Sequence, residues 1–358
     1  MPELMDIVRR QIRVGGPITV AQYMDLCLAH PEFGYYRKQD PLGRSGDFTT
    51  APEISQMFGE LIGLWAVVVW QNMGAPAPCR LVEAGPGRGT LMADALRAAA
   101  QVPEFLQAIE LHLMETSPVL RAKQQASLGE FQPVWHENAA SLAEVPTIII
   151  ANEFLDALPI RQFQRSADGW HERLIGLDAD ERLHFVFSPP QLVNPLVPDS
   201  LKNAPINEIV EVCPLALQIC RRFAEIISKA GGAAIFIDYG HPSTACGDTL
   251  QAVADHAFHD PLSDPGNADL TAHVDFGLLA ATAKAMGTRV YGPISQGRFL
   301  RGLGIRQRAE TLSNGASPIQ RGEIDMAMDR LTNPDAMGEL FKVLVISDPD
   351  MDTPPGFT

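Results

Sequence analysis

Polar and apolar residues along the chain fall into two alternating rhythms. Short strand-like runs bounded by glycine, proline or charged residues stand at 80–83, 109–114, 134–135, 147–151, 233–237, 289–293 and 341–346. Residues 147–151, Thr-Ile-Ile-Ile-Ala, have the continuous β-branched character of a strand covered on both faces. Between the runs apolar residues return every three or four positions. That spacing predicts helices from Thr90 to about Ala100 and over 119–128, 214–229 and 275–286. Gly231 and Gly232 close the third and Gly287 the fourth. Strands alternating with helices in this way predict an α/β fold that opens like a nucleotide-type domain.

The remaining segments read differently. Residues 4–13 predict a short amphipathic helix, and Thr19 is placed as N-cap of a second helix reaching about His30. Pro31, Gly34, Phe33, Tyr35 and Tyr36 suggest an irregular stretch, followed by a Gly- and Thr-rich loop at 46–50. Pro52 and Glu53 fit the first turn of a helix over 54–70. Residues 162–164, 170–177 and 183–187 alternate like antiparallel strands around a turn at 167–169, and prolines 189, 190, 195, 198 and 205 mark a long connection. The reading is therefore a helical and lid segment over 1–75 and a core over 76–348. The core carries an insertion at about 160–208 and an irregular loop at 241–275. A loose tail at 349–358 follows.

The candidate chemistry gathers where the first strand meets the first helix, RLVEAGPGRGTL at 80–91. Gly85, Gly87 and Gly89 permit positive φ and let a ligand approach bare backbone, while Pro86 fixes one φ. The spacing is G-x-G-x-G. A dinucleotide fingerprint would need its third glycine where Thr90 stands, which disfavours an oxidoreductase, and no lysine between Arg80 and Arg97 supplies a phosphate-cradling loop. Glu83, two residues before the first glycine, would repel pyrophosphate and attract an ammonium. S-adenosylmethionine (SAM) carries that ammonium and no phosphate, whereas a tight turn with no ligand is the plain alternative. Glu115, 26 positions after Gly89 and followed by Thr116, stands where a second parallel strand presents a carboxylate to ribose hydroxyls. His136, Glu137 and Asn138 form a polar loop placed to border an adenine. Asn152 and Glu153 end the buried strand at 147–151, on the side where open parallel sheets bind ligands, with Asp156 close behind. Asp47 and Glu53, beside Phe48, suit either a capped turn or a lid over a cationic ligand.

Composition narrows the picture. With 46% hydrophobic and 20% charged residues the chain has material for a core. A formal charge of −15 argues against nucleic acid as partner, and suits either simple solubility or a cationic substrate. Five cysteines, odd in number and without a C-x-x-C pair, point to a reducing compartment and free thiols. His241, His256, His259 and His273 match no compact ligand spacing, so no metal is expected. The apolar run 61–70 is too short to span a bilayer, and no charged-then-apolar leader precedes Met24. The expectation is a protein that is neither secreted nor inserted in a membrane.

GDFTTAPEIS at 46–55, EAGPGRGTL at 83–91, METSPVLRAKQ at 114–124, NEFLDALP at 152–159, EVCP at 211–214, FIDYGH at 236–241 and DLTAHVDF at 269–276 together resemble the MidA-type SAM-dependent methyltransferases. Mitochondrial members of that family are complex I assembly factors that methylate an arginine on a core subunit of NADH:ubiquinone oxidoreductase. The resemblance implies a class I, Rossmann-like seven-stranded sheet with an antiparallel last strand, an N-terminal helical extension and an inserted β-hairpin region. It also implies that Gly85, Gly87 and Gly89 contact SAM, Glu115 its ribose, and Asn152 and Glu153 the methyl-transfer mouth. Without a leader, a bacterial, cytoplasmic member is expected, or the mitochondrial matrix in a eukaryote. An arginine guanidinium stays protonated, so carboxylates are needed to orient it. Glu153 is assigned that role, with Asp47, Glu53 or Asp156 as second acid. Methylation of a small molecule or another side chain, and a non-catalytic SAM-binding assembly factor, remain the alternatives.

Overall fold

The protein is described here from a computed structural model covering residues 3–38, 50–254 and 257–357. Asp47, Phe48 and His256 lie outside the described residues. The chain divides into two compact units, one built from Met1–Phe48, Leu155–Gln218 and Ser243–Leu278, the other from Thr49–Phe154, Ile219–Pro242 and Leu279–Thr358.

The chain opens with α1 (Leu4–Gly15), β1 (Ile18–Thr19), α2 (Val20–Ala29) and α3 (Tyr35–Lys38). It continues through α4 (Ala51–Ile54), α5 (Gln56–Asn72), β2 (Cys79–Ala84), α6 (Thr90–Ala99), α7 (Pro103–Ala108), β3 (Ile109–Met114), α8 (Pro118–Leu128), β4 (Val134–His136) and β5 (Thr147–Asn152). Next come β6 (Arg161–Ser166), β7 (Gly169–Leu177), β8 (Leu183–Phe187), β9 (Ile209–Val212), α9 (Pro214–Ala230) and β10 (Gly232–His241). Then β11 (Gln251–Ala254), β12 (Ala257–His259), β13 (Asp269–Thr271), β14 (Val274–Asp275) and α10 (Phe276–Ala285) follow. The chain closes with β15 (Arg289–Ser295), α11 (Gln296–Gly302), α12 (Ile305–Ser313), α13 (Pro318–Thr332) and β16 (Phe341–Ser347).

In the second unit the strands lie in the order β15-β16-β10-β5-β2-β3-β4. β10, β5, β2, β3 and β4 run parallel, and β16 inserts antiparallel between β10 and β15. This is the seven-stranded class I arrangement with its antiparallel last strand. β5 is buried at every position, and its backbone pairs with β2 on one side and β10 on the other. Successive strands step outward in one direction from β2 through β3 to β4, and in the other from β5 to β10. The switch between β2 and β5 is where such sheets bind ligands, beyond the strands' carboxyl ends.

Helix α5 packs directly on α6. Gly63 allows this approach, since a Cβ there would come within 2.3 Å of the Ala95 carbonyl oxygen. Glu60, buried on α5, receives Arg308 Nε (2.7 Å) and Nη2 (3.0 Å) together with Arg97 Nη2 (3.0 Å), which clamps α12 and α6 to the same helix. The helix read over 54–70 is in fact two: Ser55 breaks the run at extended φ/ψ and caps α5 by accepting from Met57 N–H. The tail is not loose. Met351 is buried, and the Phe357 ring packs 5.6 Å from Phe299 and 6.0 Å from Tyr291.

In the first unit, β7 pairs antiparallel with β6, β1 and β8, and β6 pairs with β9. Thr19 and Gln22 form a reciprocal capping box at the start of α2. Residues 241–275, expected to be irregular, contain the three-stranded sheet β12-β11-β13. Strands of three or four residues are too short to display an alternation in sequence, which is why they escaped the reading. No helix among the described residues is long and apolar enough to cross a membrane.

Candidate functional site

At the carboxyl end of β2 the chain turns through Gly85, Gly87 and Gly89, all at positive φ (67°, 53° and 83°). Gly85 N–H donates to the Met114 carbonyl (3.0 Å), tying the turn to β3, and a Cβ at Gly85 would meet the Phe154 ring at 2.7 Å. Only glycine satisfies both the conformation and the clearance. Buried Pro86 accepts from Gly89 N–H (2.7 Å), and α6 starts at Thr90 with no side chain capping it.

Glu83 lies beneath this turn, 3% exposed, and its Oε2 has no hydrogen-bond partner. Burial pushes the Glu83 carboxyl up to about 8. One strand over, Asn152 is also buried and donates Nδ2 to Glu153 Oε1 (3.2 Å), which leaves its Oδ1 without a partner. Two unsatisfied buried acceptors on adjacent strands are costly unless a donor meets them. An ammonium, with three N–H donors and a positive charge, is chemically matched to the pair. The residues present therefore fit the amino-acid end of SAM.

Glu115 leaves β3 with its carboxylate held locally. Oε1 accepts from Thr116 N–H (2.8 Å) and Ser117 N–H (2.7 Å), and Arg121 Nε donates to the Glu115 carbonyl (2.8 Å). Burial raises its pKa, and the hydrogen bonds from Ser117, Gln124 and Thr116 act against that rise. Gln124, to which the sequence reading gave no role, donates Nε2 to Glu115 Oε2 (3.3 Å) and to the Gly87 carbonyl (2.7 Å). Thr116 itself is exposed, and so is Asn138, whose Oδ1 accepts from Ala140 N–H (3.1 Å).

Glu153, directly after β5, sits at φ 47°, a left-handed conformation that a glutamate adopts only at a cost. Its N–H donates to the Ile237 carbonyl (2.8 Å), and its Oε1 accepts from Ala51 N–H (2.8 Å) at the start of α4. At the other end of α4, Glu53 Oε1 accepts from Thr90 Oγ1 (2.6 Å), and Oε2 lies 3.7 Å from Arg88 Nη1. The TAPEI segment is thus fastened at one end to the strand mouth and at the other to the glycine turn. Glu53, read as an acid for the acceptor, spends its carboxylate on this fastening.

The second unit therefore brings together Glu83, Gly85, Pro86, Gly87, Gly89, Thr90, Glu115, Thr116, Asn152, Glu153 and Glu53. Asp156 belongs to the first unit, where it is buried and its carbonyl accepts from Ala272 N–H (3.0 Å). Gln124 carries two signals in the sequence: it closes the segment METSPVLRAKQ, and it falls between Leu120 and Leu128 on the buried stripe of α8, a polar residue where the pattern asks for an apolar one.

Comparison with known proteins shows the family. Residues 61–294 match a family described as "Putative S-adenosyl-L-methionine-dependent methyltransferase". Protein arginine methyltransferase NDUFAF7 of Danio rerio, a mitochondrial protein, is 40% identical over 91% of this chain and 82% of its own length. Its Homo sapiens counterpart is 37% identical over 94% of this chain and 81% of its own. A Burkholderia thailandensis protein crystallised with S-adenosyl-homocysteine superimposes with a TM-score of 0.85 at 28% identity, covering 99% of this chain and 93% of that one. A glycine turn over an orphaned carboxylate, set on a seven-stranded class I sheet, is thus accompanied by relatedness along nearly the whole chain: the protein is a SAM-dependent methyltransferase and belongs to the family that includes NDUFAF7.

Proposed function

We propose that the protein methylates an arginine side chain of another protein, and that a core subunit of complex I is its target. SAM supplies an electrophilic methyl group. The chain's task is to hold that cofactor in place and to orient an acceptor that does not lose its proton in advance. Gly85, Pro86, Gly87, Gly89 and Thr90 form the turn on which the cofactor rests. Glu83 and Asn152 take its ammonium, and Glu115 and Thr116 take its ribose, with Asn138 at the adenine edge.

Glu153 orients the guanidinium at the strand mouth and draws its positive charge toward one nitrogen. The observation that carries this assignment is the left-handed backbone of Glu153 beside the orphaned Oδ1 of Asn152. Strain of this kind, about 1 kcal/mol or more, persists where a side chain must be aimed. The acidity of the chain, −15 overall, suits a cationic partner, and the NDUFAF7 relatives bear the name of arginine methyltransferases.

The test is mass spectrometry of complex I core subunits from cells with and without this protein. Loss of one methylarginine on deletion, restored by the wild-type protein and not by Glu153→Gln, is the expected result. An unchanged arginine methylation pattern, with SAM turnover on some other acceptor, would refute the proposed substrate.

A further inference from the structure

We propose that Gln124 is a positioning residue for the cofactor: one buried amide holds the Gly87 carbonyl and the Glu115 carboxylate at a fixed separation, and Trp135 sets which way that amide faces. This rests on the reading that the glycine turn and Glu115 hold SAM.

Gln124 is fully buried on α8 between Leu120 and Leu128. A leucine there would continue the stripe and pack as well, so the amide must be explained by what it bonds. Trp135 Nε1–H is a donor only, so the atom it meets at 2.8 Å must be the amide oxygen. Nε2 then necessarily faces the other way, toward two acceptors, Gly87 O at 2.7 Å and Glu115 Oε2 at 3.3 Å. Both N–H groups and the carbonyl are used, and the orientation of the amide follows from chemistry alone.

The same face of α8 backs the far side of the turn. Ser127 Oγ donates to the Arg88 carbonyl (3.4 Å), and a Cβ on Gly89 would come within 3.0 Å of that hydroxyl. A helix outside the motif therefore sets the distance between the turn and the ribose carboxylate. Glu115 also receives Thr116 and Ser117 N–H groups, and Arg121 binds its carbonyl, so Gln124 is the group that links this acid to the turn.

Gln124→Glu tests the idea, because it keeps the shape and replaces the donor with an acceptor. The introduced carboxylate would face the Gly87 carbonyl and Glu115. Arg121 on its own helix, Arg88 on the turn and Lys123 on α8 are the neighbouring cations. Calorimetric titration of SAM and of S-adenosyl-homocysteine across pH should show Kd about 10- to 100-fold weaker than wild type at pH 8. The ratio to wild type should shrink to about threefold at pH 5.5, because burial beside Glu115 raises the new carboxyl and its protonated form again donates.

Should Gln124→Glu not fold, Gln124→Met keeps the volume without the hydrogen bonds. It should weaken SAM binding about tenfold at every pH, beyond the modest fall in melting temperature that the partners left by the amide cause. A lowered melting temperature with unchanged Kd in Gln124→Met, or a Kd for Gln124→Glu within threefold of wild type at all pH values, overturns the positioning role. Gly87→Val separates the two readings. If it also binds SAM normally, the site assignment itself fails; if it abolishes binding while the Gln124 variants bind as wild type, only the inference about Gln124 fails.

Discussion

Glu115 and Glu153 each follow a parallel strand of the same sheet, and the structure treats them in opposite ways. Glu115 is held by what surrounds it in sequence: the next two backbone N–H groups, and Gln124 and Arg121 on the helix that follows. Glu153 adopts a left-handed backbone, and its Oε1 accepts from Asn152 Nδ2 next to it and from Ala51 N–H across 102 positions. The carboxylate of Glu115 is set by nearby chain, whereas the strand mouth at Glu153 is completed by a segment from elsewhere. On the proposed reading, binding and transfer should therefore come apart under mutation.

The largest effect is expected at Glu153. Glu153→Gln keeps the shape and removes the charge, and turnover at saturating SAM should fall by about 10²- to 10³-fold with SAM affinity within about threefold of wild type. Initial rates of S-adenosyl-homocysteine formation and a parallel titration measure both quantities. Glu115→Gln should show the opposite split, with SAM affinity lower by about tenfold or more and saturated turnover largely preserved. If both substitutions moved affinity and turnover together, the contrast between the two glutamates would be wrong.

Glu83 sharpens the cofactor side through pH. Burial lifts its carboxyl from the ordinary 4.5 to about 8. Between those values the unfolded chain has released a proton that the folded chain keeps, so stability of the free protein should fall as pH rises through that window. SAM's ammonium favours the ionised form, so affinity should rise by up to about tenfold per pH unit until pH reaches about 8, with proton uptake by buffer on binding. Calorimetry in buffers of different ionisation enthalpy detects that proton, and Glu83→Gln should remove both the release and the slope.

A smaller effect is expected where α4 is fastened. Glu53→Gln weakens the bond to Thr90 and the pairing with Arg88, and should raise KM for SAM by about two- to fivefold. The smallest concerns the tail: Phe357→Ala should lower the melting temperature by several degrees and leave SAM affinity unchanged, as the loss of a half-buried ring remote from the turn requires.

The same local-versus-distant contrast explains what was legible in the sequence. The strands of the parallel sheet and the positive-φ G-x-G-x-G turn could be read because each depends on neighbours in the chain. The breaks came where tertiary contacts decide. Ser55 splits a helix that looks continuous, three- and four-residue strands fill a segment that reads as loop, and Phe357 docks a tail whose prolines suggest looseness. Glu53 reads from sequence as either a cap or an acid over a cationic ligand. Its commitment to Thr90 and Arg88, 37 and 35 positions away, lay beyond any local pattern. Gln124 shows as the last residue of METSPVLRAKQ and as a polar interruption of an apolar stripe, with nothing local to name its partners.

One measurement tests the account most directly: SAM pre-bound to wild type and to Glu153→Gln, mixed in single turnover with an arginine-bearing complex I subunit, with binding heat and S-adenosyl-homocysteine recorded on the same preparations. Equal heats with product from wild type alone are the predicted result. Product at the wild-type rate from Glu153→Gln, or no heat from either protein, would contradict it.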